Sequence, residues 1–383
     1  MNSLRTLIIV LSLGLGIQVT GQNFKQFISR LNSLPEAQRQ AVADSLMKAA
    51  QTIPLIENDT TVHFLYNGDG KSVELAGDFT GWKSGIRMNH ISGCNFRYYT
   101  ATYEADARLE YQFVINSTDW ILDPSNPNKF KGGLGQNSEF RMPGYRVPPE
   151  ISFYPVIPHG MIRDTTIYST VLNNDREILI YLPPGYPAEG TSYPVILFHD
   201  GIEYIRLFNA GNVLDYLIAK QMMSPVIAVF VPPVDREAEF SGNKIDSYTQ
   251  FITGEMMPLI DSLYPTSRDP SDRAMAGISN GGNISLYIGM KHPEVFGKIS
   301  AQSSNIQTVI SRTFSTGKML DLELYLDIGA YDLDPLMPMV RNFRDILAAR
   351  GYEYQFNEWH EGHSWGNWQC HLRMPLIQFF PYR

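Results

Sequence analysis

Beyond Asp164 the chain alternates short apolar runs with helical patterns, and no other feature narrows its fold so far. Glu177 to Leu182, Val195 to His199, Val226 to Val231, Arg273 to Ile278, Ile299 to Gln302 and Leu322 to Ile328 have the length and apolarity of strands buried on both faces. Between several of them, Val213 to Lys220, Tyr248 to Tyr264, Asn283 to His292 and Met337 to Arg350 repeat apolar residues at helical spacing. Such alternation predicts a largely parallel sheet covered by helices on both faces.

The preceding stretch follows another period. From Thr61 to about Met142, runs at Val62 to Tyr66, Ser72 to Ala76, Phe96 to Tyr103 and Leu109 to Ile115 are separated by Gly, Asn and Asp turns, which predicts a small immunoglobulin-like β-sandwich. Ahead of it, Phe24, Phe27, Ile28 and Leu31 recur at helical spacing. Ser33-Leu34-Pro35-Glu36 reads as a capping box opening a second helix to about Lys48. These helices are expected to pack without chemistry of their own. Pro143, Pro148, Pro149, Pro155 and Pro158 stiffen a connector, where a domain boundary falls.

After a short polar start Arg5 is followed by an almost wholly apolar run from Leu7 to Val19 and then by small residues. That is the pattern of a signal peptide, too short for the ~20 residues of a spanning helix, so a periplasmic or secreted protein with no stable membrane span is expected. Lys plus Arg number 31 against 39 Asp plus Glu, a net charge of −8 with no basic run, which excludes nucleic acid as a partner. The two cysteines, Cys94 and Cys370, fall in different expected domains and are read as small core residues, a disulfide between them being the lesser alternative.

Chemistry concentrates around Gly277-Ile278-Ser279-Asn280-Gly281. A strand candidate precedes Ser279 and a helix candidate follows it, so the serine falls on the strand-to-helix turn of a nucleophile elbow in an α/β-hydrolase fold. A serine hydroxyl needs a base, and in this fold the order is serine, acid, histidine. His363, in the loop Glu361-Gly362-His363-Ser364-Trp365, is the expected base, ahead of His360, while His371 is expected on a helix surface. The acid belongs just past the strand that ends near Ile328; Asp332 is the choice, Asp334 the runner-up, and Asp327 is read as structural. The oxyanion would be met by the backbone N–H of Asn280 and by that of Gly201 or Ile202, in the loop Phe198-His199-Asp200-Gly201-Ile202. His199 and Asp200 themselves are read as a turn and its anchor. Arg236, past the strand Val226 to Val231, either orients a substrate carboxylate or phenolate or pairs with Glu239 or Asp235. Trp365 and Trp368 either wall a subsite or pack in the core. No metal or cofactor is called for, since neither a His-Glu-x-x-His nor a CxxC pattern occurs.

With those residues in place, about Ile167 to Phe380 resembles the esterase family that includes enterochelin esterases, feruloyl and acetylxylan esterases of carbohydrate esterase family 1, S-formylglutathione hydrolases and mycolyltransferases. The resemblance rests on Phe198-His199-Asp200-Gly201, Asp235-Arg236 with Glu239, Gly277 to Gly282, His292-Pro293-Glu294-Val295-Phe296-Gly297, Gly329 to Asp332, and Glu361 to Trp365 with Trp368. It implies a catalytic set of Ser279, Asp332 and His363. Asn280 stands where many members carry Met, a change expected to alter the pocket lining and not the backbone donor. Val73 to Trp82, Tyr111 to Ile115 and Trp120 with Asp123 to Pro127 resemble a family 48 carbohydrate-binding or early-set domain.

The organisation expected is therefore a signal peptide over 1–21, a helical segment over 22–56, the β-sandwich over 57–147, a connector over 148–166 and an α/β-hydrolase esterase domain over 167–383. The expected function is a serine carboxylic ester hydrolase of the enterochelin-esterase kind, forming an acyl-enzyme on a small-molecule or polysaccharide-linked ester. Alternatives are a feruloyl or acetylxylan esterase acting on polysaccharide side chains and, in another class, a non-catalytic carbohydrate-binding protein on a degenerate hydrolase fold. Nothing in the sequence specifies an oligomeric state.

Overall fold

The computed structural model describes residues 24–50, 52–133 and 135–382. The expected signal peptide lies outside the described residues. Among those described, no helix is long and apolar enough to cross a membrane.

The second half is built on one mixed sheet in the order Met161–Ser169, Asn174–Leu182, Ile227–Val231, Val195–His199, Arg273–Ile278, Lys298–Gln302, Glu323–Tyr331 and Glu353–Gly362. Its first two strands are antiparallel, and from Ile227–Val231 onward every neighbour is parallel. Val195–His199, Ile227–Val231 and Arg273–Ile278 are buried at every position, because helices cover both faces. One face packs Val195, Leu197, Val229 and Met275 against Ile284, Ile288, Val340 and Phe343; the other packs Ile196, Phe198, Ala228 and Phe230 against Val213, Leu217, Leu372 and Leu376. Met161–Ser169 pairs along its whole length with Asn174–Leu182, so the sheet starts inside the stretch expected to be a connector. Its outer residues are largely exposed, and the polar composition of Arg163 to Thr166 hid it from an apolar pattern.

The first half holds two antiparallel sheets. One contains Leu55–Ile56, Thr61–Asn67, Phe96–Thr102 and Asn89–His90; the other centres on Arg108–Ile115, flanked by Val73–Gly77 and Gly135–Arg141. Val62, Phe64 and Tyr66 meet Leu75, Tyr111, Phe113 and Phe140 in the core between them. Leu65 and Phe96 point the other way and are buried by Phe24, Leu31, Ala43 and Leu46 of the helices Phe24–Ser33 and Glu36–Ala49. The capping box expected at Ser33 does not form. Ser33 is the last residue of the first helix, its hydroxyl donates to the Arg30 carbonyl at 2.7 Å, and Pro35 precedes the second helix without a side-chain cap.

The two halves are joined through strand ends: Glu361, closing the last strand of the large sheet, pairs in parallel with Arg108 of the small one. Cys94 and Cys370 are free and buried.

Candidate active site

Ser279 occupies the single residue between the strand Arg273–Ile278 and the helix Asn280–Lys291, at φ 53° and ψ −122°. That turn closes on itself so tightly that a Cβ on Gly277 would lie 2.1 Å from the Gly281 carbonyl oxygen, so glycine is required there. The Ser279 N–H donates to the Gln302 carbonyl of the neighbouring strand at 2.9 Å, which fixes the turn to the sheet.

His363 follows the last strand, and its Nδ1 lies 2.7 Å from Asp332 Oδ1. Asp332 is buried, and the same oxygen accepts the Leu333 N–H at 2.7 Å, while Oδ2 is buried without a partner. A carboxylate on Nδ1 places the proton there and leaves Nε2 as the basic nitrogen. The rivals are engaged elsewhere. Asp334 is exposed and lies 3.7 Å from Lys83; Asp327 is buried and accepts from Gln302 Nε2 at 2.9 Å and the Tyr325 hydroxyl at 3.1 Å. Burial pushes the Asp327 carboxyl up to about 6. His360 meets Asp106 at 2.6 Å. His371 is not on an open helix surface as expected: it stacks on Trp359 with ring centres 3.8 Å apart and meets the buried Glu361 at 2.6 Å.

Ser279 and His363 line one cavity of about 850 Å³ with Asp200, Ile202, Arg236, Trp365 and Trp368. Gly201 opens the short helix Gly201–Arg206, and a Cβ there would strike the Phe230 backbone at 2.4 Å, which presses the helix start onto the neighbouring strand. Among the described residues the N–H groups of Gly201, Ile202 and Asn280, in the first turns of their helices, have no carbonyl partner, and of the first two it is Ile202 that lines the cavity. The Asn280 side chain accepts from Asn305 Nδ2 at 3.0 Å and does not line the cavity.

Arg236 pairs with neither Glu239 nor Asp235. Its Nε and Nη2 each reach a different oxygen of Asp200 at 2.7 Å, and Nη2 also donates to the Ile278 carbonyl at 3.2 Å. Glu239 is taken by the buried Arg176 at 2.8 and 2.9 Å, and Asp235 caps Ala238 N–H at 3.2 Å. His199 is fully buried against the Tyr248 hydroxyl at 3.1 Å, and burial lowers its pKa to about 3, which keeps the ring neutral. Trp368 combines both expected roles: it is buried and donates to Ser303 Oγ at 2.8 Å, while its ring meets His363 edge-on at 4.8 Å. Trp365 stands over the cavity, propped by Phe208 at 5.0 Å and Trp368 at 5.5 Å.

Trp82, Glu110, Gln112, Trp120, Gly132, Gly133, Gly135 and Asn137 of the first half form the opposite wall, a contribution that sequence reasoning missed. Trp82 and Trp120 stood in the motifs quoted above, but nothing in their local pattern signals a wall more than a hundred residues from Ser279.

Residues 169–379 match the Esterase family. The iron(III) enterobactin esterase of Escherichia coli K12 is 27% identical over 246 residues, covering 57% of this chain and 60% of that one. An endo-1,4-beta-xylanase/feruloyl esterase of Xylanibacter ruminicola is 25% identical over 274 residues, 67% of this chain but 36% of that longer one. Among solved structures, the enterobactin esterase of Shigella flexneri superposes with a TM-score of 0.71 at 23% identity, covering 84% of this chain and 94% of that one, a likeness of fold. The family match spans more than half of the sequence, so the chain belongs to the Esterase family and is a carboxylic ester hydrolase.

Proposed function

We propose that ester hydrolysis here proceeds through an acyl-enzyme on Ser279. His363 Nε2 takes the Ser279 Oγ proton as the oxygen attacks the ester carbonyl, and Asp332 holds the Nδ1–H and stabilises the imidazolium. The carbonyl oxygen, now negative, is met by the N–H groups of Asn280 and Ile202, with the dipole of the helix Asn280–Lys291 behind it. The imidazolium hands its proton to the departing alcohol; water then repeats the sequence on the acyl-enzyme and releases the acid. The contact that carries this reading is His363 to Asp332 at 2.7 Å in the cavity that Ser279 lines. No hydrogen bond joins Ser279 to His363 here, and apo pairs of this type tighten when substrate arrives.

The test is Ser279→Ala assayed on a p-nitrophenyl ester alongside fluorophosphonate labelling. Turnover falls by ~10³-fold or more and labelling vanishes if Ser279 is the nucleophile. Retained hydrolysis sinks the assignment, and so does a wild-type chain that hydrolyses the ester but takes no label. On substrate, an enterochelin-esterase-like activity is supported by the enterobactin esterase relatives; the aromatic wall of Trp82, Trp120 and Trp365 favours a second reading, a feruloyl ester on a glycan. The two-sheet unit is proposed as the immunoglobulin-like, family 48-type domain, and export rests on the apolar run Leu7 to Val19.

A further inference from the structure

Resting on the ester hydrolase reading of the Ser279 cavity, and on its feruloyl-type rather than its iron(III)-catecholate substrate, since the latter complex is anionic, we propose that the cavity selects uncharged esters and rejects anionic ones. Among the described residues that line it, the carboxylates are Glu110, Asp200 and Glu203, and Arg236 is the one Lys or Arg. Arg236 brings no net positive charge, because Asp200 grips it face to face through both oxygens at 2.7 Å. The pair acts as a neutral dipole. Arg236 Nη1 makes no hydrogen bond among the described residues and is left as a donor suited to a hydroxyl, methoxyl or carbonyl oxygen of the substrate.

The remaining carboxylates differ. Glu110 is paired with the buried Arg108 at 3.0 Å and accepts from Asn137 Nδ2 at 2.9 Å, while Glu139 and Glu361, which also meet Arg108, have Arg141 and His371 as further partners. Glu203 lies one residue beyond Ile202 on the helix Gly201–Arg206, half-buried, and has no ion pair among the described residues. A carboxylate or phenolate seated beside Ser279 would therefore meet uncancelled negative charge in a partly desolvated space. The rest of the lining suits neutral groups. Trp82, Trp120, Trp365 and Val234 offer apolar faces, and the amides of Gln112 and Asn137, bonded to each other at 2.9 Å, offer polar edges to sugar or phenol hydroxyls.

The test uses shape-matched ester pairs that differ in charge alone. Cinnamate esters of glycolamide and of glycolate place the charge on the alcohol side; methyl para-carbamoylcinnamate and methyl para-carboxycinnamate place it on the acyl side. For at least one pair, kcat/KM should favour the neutral member by about tenfold at low ionic strength, and the gap should narrow as salt is raised. Glu203→Gln should narrow it further, and Glu203→Lys should close or invert it, an order by charge that a loss of packing would not produce. The proposal is overturned if the anionic members are hydrolysed as fast as their amides, or if the gap ignores both salt and the Glu203 series. If no ester of either pair is turned over and a fluorophosphonate fails to label Ser279, the hydrolase reading falls and takes the proposal with it.

Discussion

Ser279 shows how a single residue is prepared for chemistry by its neighbours. A φ of 53° costs a non-glycine residue on the order of 1–3 kcal/mol, and Gly277 together with the Gln302 carbonyl keeps it there. His363 and Asp332 illustrate the complementary case, in which one contact sorts two similar carboxylates. Asp332→Asn would keep the shape but present the wrong donor pattern to Nδ1, so kcat should fall by about 10² to 10⁴-fold with little change in KM. Asp334→Asn, on an exposed carboxylate facing Lys83, should leave kcat within about twofold, as expected of a weak surface pair. Steady-state kinetics of the two variants separates them; equal losses would contradict the assignment. The pentapeptide was legible in sequence because glycine spacing is local. The choice of Asp332 over Asp334 was open there, since side-chain direction past a strand end depends on what the loop packs against.

At the scale of elements, the end of the strand Glu353–Gly362 and the helix Trp365–His371 are held from the other half by Arg108. Its guanidinium is buried against Glu110 at 3.0 Å, Glu139, Glu361 at 3.8 Å and Ser364 Oγ at 3.2 Å. A Cβ on Gly366 would fall 2.1 Å from Arg108 Nη2, and one on Gly362 the same distance from Asp78 Cγ, so the segments on both sides of His363 rest directly on that half. Truncating one member of a buried ionic network strands its partners, so Arg108→Ala should cost about 3–5 kcal/mol in urea unfolding, with Arg108→Lys restoring part of it. The same substitution should lower kcat, because the loop carrying His363 loses its support. Trp120 is exposed on the strand Asp119–Ile121 and lines the cavity, so Trp120→Ala should raise KM several-fold at nearly constant melting temperature if it meets substrate there. None of this was readable from the sequence, where Arg108 and Ser364 are 256 residues apart.

For the whole molecule, two buried groups set opposing pH terms. His199 is lowered from 6.5 to about 3 by burial, so as pH falls through that window the unfolded chain takes up a proton that the native state refuses, and stability is lost. Asp327 is raised from 3.8 to about 6, so its native-state proton stabilises the fold at low pH and that contribution disappears as pH rises through 6. The terms partly offset between about pH 4 and 6. His199→Gln should therefore flatten the acid loss of melting temperature over that range, and Asp327→Asn should steepen it. Thermal melts at a series of pH values check both, and identical slopes would remove the two groups as the cause.

What the sequence determined by itself is what local pattern can encode: strands of mostly apolar residues because both faces are covered, helices at their proper period, and a glycine-flanked serine at the turn between them. The antiparallel edge strand Met161–Ser169 escaped because exposed residues on one face dilute its apolar pattern. The helix start at Glu36 was misassigned a cap because Ser33 spends its hydroxyl inside the preceding helix. Tertiary structure alone decided which carboxylate faces His363, that Arg236 is neutralised by Asp200, and that the β-rich first half forms a wall of the cavity around Ser279. Those outcomes depend on ion pairs and packing between segments far apart in the chain, which leave no trace in the residues on either side of each partner.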